Sequence, residues 1–355
     1  MKEKGQKTFQ EILSQPQVWT DTLKVFEKQA KDVVELWDGT HFDQVLFIGC
    51  GSTYYLSLSA SVLFRHLNHV TSFALPGSEL GLFTDTYLDR NKKTLLVAVS
   101  RSGETTETVR AMQLFREGEY GKTLAITTVP DSSMTQYADL CLVAETAREV
   151  SIAQTRSFTS MQLLAEAFAL QVSGQNAVEV LAAFPDLVTR LFEKYQGLAK
   201  TLGEDKEIER FFFLGSAYNY GIASEAMLKM KEMSISNSEA FHTLEFRHGP
   251  KSMVDERALV IGLLNESTDY QEIPTLQEMA ALKGRILSFA EKSDERLETI
   301  GDVVELASGV AEPLRAILFL PVLQLLAFYR AISRGQDPDN PNNLDAVVHI
   351  PSMVK

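Results

Sequence analysis

A helical pattern opens the chain and then gives way to short apolar strands that alternate with helices. Residues 8–37 place apolar side chains at a spacing of three to four, which predicts helices. Apolar runs follow, most of them separated by helix-length segments: QVLFIGCGS, VTSFALPG, KTLLVAVS, KTLAITTV and LCLVAET. Strands that alternate with helices indicate βαβ crossovers and a parallel sheet covered on both faces. We therefore predict a doubly wound α/β domain, with helices over 56–67, about 105–118 and 160–200.

The same order of elements begins again near residue 210. IERFFFLGSAYNYG repeats the opening of the first copy, with Gly215 where Gly49 stood, and RALVIGLLNES corresponds to KTLLVAVSRSG. RILSFAE and ETIGDVV supply later strands. A repeat at the length of a whole domain indicates a duplication. We predict N-terminal helices over 1–37, a first domain over 38–185 and a second over 195–355, and the pattern leaves the strand order open.

Composition narrows the class of protein. The chain has 355 residues, 45% of them hydrophobic, and a formal net charge of −13, whereas a nucleic-acid binder would show a basic face. Two cysteines provide no disulfide framework, and the charged N-terminus lacks the apolar core of a signal peptide. The run AILFLPVLQLLAF is shorter than the ~20 residues of a membrane span, so it predicts a buried helix. We expect a cytoplasmic protein that binds neither nucleic acid nor membrane.

Hydroxyl side chains cluster after two strands of the first domain. One cluster follows the first strand and the other follows the third: Ser52 and Thr53, then Ser100, Ser102 and Thr105. Ligands of open α/β sheets bind beyond the carboxyl ends of the strands, where helix N-termini favour anions. Hydroxyls also cap helices, but two clusters in one domain favour a phosphate site, with loop amides around Gly51 and Gly103 approaching closely. At the corresponding places the second domain has Tyr218 and Asn219, then Leu263, Leu264 and Asn265, so we expect only the first domain to bind the anion.

Two other phosphate-binding motifs do not fit the sequence. GCGSTYY lacks the third glycine of the dinucleotide motif, and no acidic residue follows the next strand at the expected place. The chain also contains no G-K-[ST], which excludes a P-loop.

Candidate proton-transfer residues lie in the second domain. Glu225, Lys229 and Glu232 are spaced four and three apart, which places them on one face of a helix. Such a pattern is typical of surface ion pairs, but a carboxylate beside a lysine on the first helix after a central strand also suits proton transfer on a sugar carbon. His248 lies in a Gly-Pro turn, where it either shapes the turn or transfers protons near neutral pH. No histidine or cysteine stands at metal-ligand spacing, so we expect no metal and no cofactor.

Six motifs together resemble the sugar isomerase (SIS) domain family, and in particular the isomerase half of glucosamine-6-phosphate synthase and its stand-alone relatives. They are GCGSTYY, SRSGETTET, REVSIAQTRSFTS, SEAMLKMKE, SEAFHTLEFRHGP and AISRGQDPDNPNNL, in this order from about residue 10 to the C-terminus. The resemblance implies two tandem SIS domains, each a doubly wound, flavodoxin-like parallel sheet flanked by helices. It also implies a phosphosugar substrate.

The resemblance assigns roles to the candidate residues. The 6-phosphate of a hexose would be held by Ser52, Thr53, Ser100, Arg101, Ser102 and Thr105. Arg101 stands where the synthases usually carry glutamine, and it either adds a charged contact or lies outside the ring of donors. Gly51 and Ile152 match positions around the sugar. Glu232 matches the glutamate that moves a proton between C1 and C2, and Glu225 and Lys229 line the same site. His248 matches the histidine that helps to open the sugar ring and comes from the neighbouring subunit, which implies a homodimer.

Two departures from the synthases bear on the reaction. The chain starts at the helices before the first SIS domain, without the glutaminase domain of a synthase, and Ala346 stands where the synthases carry a tail lysine. Whether Lys355 substitutes for that lysine stays open. Both departures favour conversion of glucosamine-6-phosphate to fructose-6-phosphate and ammonia. The alternatives are a deglycase of fructosamine-6-phosphates, a galactosamine- or tagatose-phosphate isomerase, and a phosphosugar-binding regulator without catalysis.

Overall fold

The computed structural model describes residues 4–348 and 350, and Lys355 lies outside them. The chain forms two compact units. Among the described residues, the first unit contains Ser14–Glu149, Arg156–Pro185 and the tail residues 345–348 and 350. The second contains residues 4–13, Val150–Thr155 and Asp186–Leu344. The domain boundaries expected from the sequence stay predictions.

Helices account for most of the polypeptide outside the sheets. In chain order they are α1 (Gln6–Leu13), α2 (Gln15–Asp38), α3 (Ser52–Asn68), α4 (Gly77–Leu82), α5 (Thr84–Tyr87), α6 (Thr106–Glu117), α7 (Arg156–Val172), α8 (Ala177–Leu181), α9 (Phe184–Glu204), α10 (Tyr218–Ser234), α11 (Asp269–Ala281), α12 (Glu295–Glu298) and α13 (Ala316–Ser333).

The sheet of the first unit is parallel throughout. Its described strands are β1 (Gln44–Gly49), β2 (Thr71–Pro76), β3 (Thr94–Ser100), β4 (Gly121–Thr127) and β5 (Leu140–Val143), in the order β2-β1-β3-β4-β5. All residues of β1 and β3 are buried, because helices cover both faces of the sheet. The order reverses direction between β1 and β3, and such a switch point is where open α/β sheets bind ligands.

The second unit repeats this topology. Its described strands are β6 (Arg210–Gly215), β7 (Asn237–Phe241), β8 (Ala258–Leu263), β9 (Arg285–Ala290) and β10 (Asp302–Glu305), in the order β10-β9-β8-β6-β7. The switch point therefore lies between β6 and β8. The prediction of two doubly wound α/β units is confirmed.

The local differences from prediction have physical reasons. β7 was not predicted, because its sequence NSEAF is polar and its first and third residues are exposed at the edge of the sheet. The helix expected over 160–200 is interrupted after Val172, where Gly174 takes a positive φ of 82°. Pro16 lies in the first turn of α2, which fits a proline because the first amides of a helix have no intrahelical acceptor.

Helix α13 is the one segment of the described chain with the length and composition to cross a membrane. Residues 316–331 of this helix are buried inside the second unit. Gln324 at its centre donates to the carbonyl of Thr155 at 3.2 Å. The prediction of a buried helix is confirmed, and the cytoplasmic location stays a prediction.

Candidate active site

The loop after β1 is a tight turn that opens helix α3. Gly51 adopts φ 56° and ψ −125°, a conformation that L-residues avoid, and a Cβ there would meet nothing within 4 Å. The Thr53 hydroxyl accepts a bond from the Cys50 amide at 2.9 Å and donates to the Cys50 carbonyl at 3.0 Å. Ser52 and Thr53 are both buried. The Thr53 side chain thus holds the turn that presents the α3 N-terminus.

The loop after β3 is held by its own hydroxyls. Ser100 Oγ accepts from the Gly103 amide at 3.1 Å and lies 3.2 Å from Thr105 Oγ1. Ser102 Oγ accepts from the Glu104 amide at 3.1 Å. Gly103 has a φ of 68°, and a Cβ at this residue would overlap the Ser132 side chain. The loop therefore curls tightly before α6 with three hydroxyls on it.

The register of the sheet places these two loops side by side. β1 and β3 are paired with Ile48 opposite Ala98, so Cys50 and Ser100 lie at the same level, at the carboxyl ends of the two strands. Parallel strands lie about 4.8 Å apart. The structure thus brings the predicted phosphate residues of the two loops to one end of one sheet, at the N-termini of α3 and α6. Helix N-termini and hydroxyl donors together form a site suited to an anion.

Arg101 points toward neighbours that the sequence pattern did not indicate. Its Nη1 lies 3.8 Å from a Glu149 carboxylate oxygen, and its Nη2 donates to the Ala346 carbonyl at 3.1 Å. The tail continues past α6, where the Thr106 amide donates to the Val348 carbonyl at 3.5 Å and the Ile350 amide donates to Thr106 Oγ1 at 3.1 Å. The position expected for a tail lysine therefore contributes a backbone carbonyl to this loop.

In the second unit, α10 carries the predicted triad of charges. Lys229 Nζ lies 3.3 Å from Glu225 Oε1 and donates to the Glu232 carboxylate. The side chains of Lys229 and Glu225 are fully buried, whereas that of Glu232 is 18% exposed. The surface-pair interpretation of this spacing is therefore wrong for Glu225 and Lys229, because neither is on the surface of the protein.

The electrostatics of the triad keep the lysine charged. Burial alone lowers the pKa of Lys229, but the carboxylates of Glu225 and Glu232 outweigh it, and the net direction is upward. One ammonium thus lies between two carboxylates, of which Glu232 is the one that solvent reaches. A carboxylate held in this way is suited to accept and return a proton.

The remaining predicted residues of this unit lie on loops. His248 is exposed and directly follows a short 3₁₀ turn, Glu245–Arg247, with its amide donating to the Glu245 carbonyl at 2.9 Å. Ile152 lies in the segment 150–155, which the second unit holds through Glu11, whose carboxylate accepts from the Val150 amide at 2.6 Å. Within the part of the chain that the structure describes, no three histidine, cysteine, aspartate or glutamate side chains are grouped to hold a metal.

Two contributors to the first unit's loop escaped the sequence reasoning. Glu149 is the acidic neighbour of Arg101, and Val348 supplies a carbonyl to the first turn of α6. The Glu149 contact spans 48 positions and the tail contacts span more than 240, so no local pattern predicts them. The motif REVSIAQTRSFTS contains Glu149 but gives it no role.

Comparisons with known proteins show which family and which enzymes the chain is similar to. The family model for the SIS domain matches residues 40–171 and 206–334. The glutamine–fructose-6-phosphate aminotransferase (isomerizing) of Methanothermobacter thermautotrophicus is 27% identical over 96% of this chain and 57% of its own length. The chain thus spans little more than half of such curated relatives.

Solved structures of similar length share the fold. The glucosamine-6-phosphate deaminase of Thermotoga maritima is 30% identical, with a TM-score of 0.76, over 96% of this chain and 99% of that one. The tagatose-6-phosphate ketose/aldose isomerase of Escherichia coli has a TM-score of 0.86 at 22% identity over 94% and 95%, which shows the fold alone. With the family model matching most of both sheets and their helices, the chain belongs to the SIS domain family.

Proposed function

We propose that this chain is a phosphosugar isomerase that deaminates an amino-sugar 6-phosphate. Glucosamine-6-phosphate would yield fructose-6-phosphate and ammonia. The common ground of the relatives and solved structures is SIS-type phosphosugar chemistry. The full-length likeness to a glucosamine-6-phosphate deaminase at 30% identity supports the finer assignment.

The first unit would bind the phosphate. Its two hydroxyl loops carry Ser52, Thr53, Ser100, Ser102 and Thr105 and open two helices at one sheet edge. A phosphate dianion gains from hydroxyl and amide donors at helix N-termini. Arg101 already contacts Glu149 and Ala346, so we assign it to positioning the loop and the tail.

The second unit would supply the acid–base chemistry. After ring opening, Glu232 takes the proton from C2 of the amino aldehyde while a water molecule protonates O1, which leaves an enolamine with a hydroxyl on C1. Glu232 returns its proton to C1, which gives a C2 iminium ion. Water then adds to C2, its protons pass to the nitrogen and to the hydroxide left by O1 protonation, and ammonia leaves as the C2 ketone forms. Lys229 donates to the Glu232 carboxylate and so fixes its position for proton transfer.

His248 would assist ring opening, with Gly51 and Ile152 contacting the sugar. His248 is exposed in the single chain, as expected for a side chain that enters the active site of a second copy of the chain. We therefore propose a homodimer in which His248 is exchanged between protomers. No cofactor is needed for this reaction, because the proton shift and hydrolysis use only water and side chains.

The observation that carries the proposal is the partly exposed Glu232 paired with a buried Lys229. We expect the protein to convert glucosamine-6-phosphate to fructose-6-phosphate with one ammonium per ketose. Glu232→Gln should lower kcat by about 10²–10⁴-fold, since the amide cannot take the proton. Glu239→Gln, an exposed carboxylate on β7, is the control and should keep wild-type activity.

A substrate panel separates the alternatives. If the protein converts tagatose- or galactosamine-derived phosphosugars but releases no ammonia from glucosamine-6-phosphate, the substrate would be reassigned. Release of a free amino acid from fructosamine-6-phosphates would reassign the reaction to deglycation. Full activity of Glu232→Gln on any of them would contradict the assigned base.

A further inference from the structure

The two units can be aligned residue by residue at their switch points. Gln44 pairs with Thr94 in the first sheet as Arg210 pairs with Ala258 in the second. We therefore match Gln44 with Arg210 and Thr94 with Ala258, and count along each strand from there. By this alignment Gly51 corresponds to Ala217, and their backbones agree, with φ/ψ of 56°/−125° and 52°/−124°. The second unit therefore keeps the turn that presents a helix N-terminus in the first.

The same alignment pairs the residues behind that turn. Cys50 corresponds to Ser216, Arg101 to Asn265 and Thr108 to Glu272. In the first unit, the Thr108 hydroxyl lies 3.5 Å from Cys50 Sγ, and its short side chain ends there. In the second unit a carboxylate on a longer side chain stands at this position.

The Glu272 carboxylate contacts a loop backbone amide and a side-chain amide, which are donors that also bind anionic ligands. Its Oε2 accepts from the Asn265 amide at 2.9 Å, and its Oε1 lies 3.4 Å from Asn265 Nδ2. Asn219 Nδ2 donates to Asn265 Oδ1 at 3.0 Å and so fixes that amide. Glu272 is only 1% exposed. Burial raises the pKa of Glu272, while its bonds with Ser216 and Asn265 oppose the rise, as donors to an ionised carboxylate do.

We propose that Glu272 is a built-in occupant of an anion site that the second unit inherited. Its carboxylate takes the loop amide and side-chain donors at the switch point of this unit, so no phosphate binds there. Phosphate recognition is then left to the loops of the first unit, where Thr108 stands instead. This inference is independent of the reaction proposed above, because Glu272 and Asn265 have no role in that reaction.

A crevice of about 280 Å³ lies beside Asn265, the residue that binds Glu272. It is inside the second unit and is lined by Leu264, Asn265, Asp269, Ile273 and Ala290, among others. Four acidic residues and one lysine also line it: Glu266, Asp269, Glu291, Asp294 and Lys292. Their net negative charge disfavours a dianion, so the probe of choice is a small monoanion.

Chemical rescue tests the proposal. Glu272→Ala removes a CH₂–COO⁻ group, which sodium acetate restores. We expect acetate to raise the Tm of Glu272→Ala by at least about 2 °C more than it raises that of the wild type, with sodium chloride at equal ionic strength as the reference. Glu166→Ala is the matched control: it removes the same atoms from a carboxylate that is 1% exposed and bound by the Gln162 side chain, without a backbone amide. Its Tm should respond to acetate as the wild type does.

Equal acetate responses of Glu272→Ala and the wild type would overturn the proposal. If Glu272→Ala does not fold, Glu272→Gln provides the second measurement, because it preserves the shape of the side chain. Hydrogen exchange of the Asn265 amide should then be at least about tenfold faster than in the wild type, since a neutral acceptor binds it less strongly. Unchanged exchange would contradict the assigned occupant. Neither measurement uses enzyme turnover, so failure here leaves the proposed function untouched, and the reverse also holds.

Discussion

The buried carboxylates Glu225, Glu272 and Glu166 differ in what surrounds them, and the surroundings set what each can do. Glu225 lies against the Lys229 ammonium. Glu272 accepts from a backbone amide. Glu166 has one described partner, the Gln162 side-chain amide at 3.1 Å. The three carboxylates therefore have partners of different kinds: an ammonium for Glu225, a backbone amide for Glu272 and a neutral side-chain amide for Glu166.

The pH dependence of stability should therefore report on Glu166. Burial raises its pKa from 4.5 to about 8, against a smaller opposing effect of Gln162. Between these values the folded protein holds a proton that the unfolded chain releases, so the free energy of unfolding falls as pH rises, by more than ~1 kcal/mol per pH unit. The loss begins above the unfolded pKa and is complete near the folded one.

Glu166→Gln removes this titration while keeping the shape of the side chain. We expect its Tm to match that of the wild type near pH 5 and to exceed it near pH 8. Thermal unfolding of both proteins across this range measures the difference, in which the titrations of other groups cancel. A difference that stays constant with pH would show that Glu166 does not carry the raised pKa.

At the scale of elements, the same turn opens α3 and α10 with different residues. The first unit uses Gly51, which the conformation favours, whereas the second places the Cβ of Ala217 at φ 52°. Such a conformation costs a non-glycine residue of order 1–3 kcal/mol. The second unit has thus kept the turn without keeping its glycine.

Ala217→Gly should stabilise the protein. Relief of the strained backbone outweighs the ~0.5–1 kcal/mol that glycine loses in conformational entropy, for a net gain of about 1 kcal/mol. Differential scanning calorimetry should show a Tm increase of roughly 2–4 °C. The reciprocal change Gly51→Ala meets no atom within 4 Å, so it should destabilise through the backbone alone. A lower Tm for Ala217→Gly would contradict the strain argument.

At the scale of the whole molecule, two units of one topology carry different polar residues. Both sheets have the same strand order, yet the hydroxyl loops belong to the first unit and the charged triad to the second. The curated relatives contain further sequence, since this chain spans 57% of one such enzyme. The proposed homodimer is the property of the whole molecule that mutagenesis can test most directly.

Mixing two inactive variants tests the exchange of His248 in the proposed homodimer. A mixed dimer of Glu232→Gln and His248→Ala has one site carrying both changes and one site carrying neither. Random reassociation in an isologous dimer should restore about a quarter of wild-type activity. Steady-state assays after co-refolding measure this, with each variant alone as the control. Activity no higher than the sum of the single variants would place His248 in the site of its own chain.

The sequence by itself determined the features that depend on neighbours along the chain. Apolar runs and glycine turns predicted the buried strands, because a strand and its turn are local. The spacing of Glu225, Lys229 and Glu232 placed them on one helix face for the same reason. The two hydroxyl clusters were visible because each directly follows a strand.

Tertiary structure alone decided the rest. The strand order, the polar edge strand β7 and the contact of Arg101 with Ala346 depend on pairings between distant segments. Burial likewise separated the triad from an ordinary set of surface ion pairs, since exposure is a property of the packed molecule. Glu272 lies only seven residues from Asn265 in the sequence. Its hydrogen bond with the Asn265 amide nevertheless depends on the turn that the chain makes after β8. Chain-local patterns set the elements, and packing set which of their side chains share an environment.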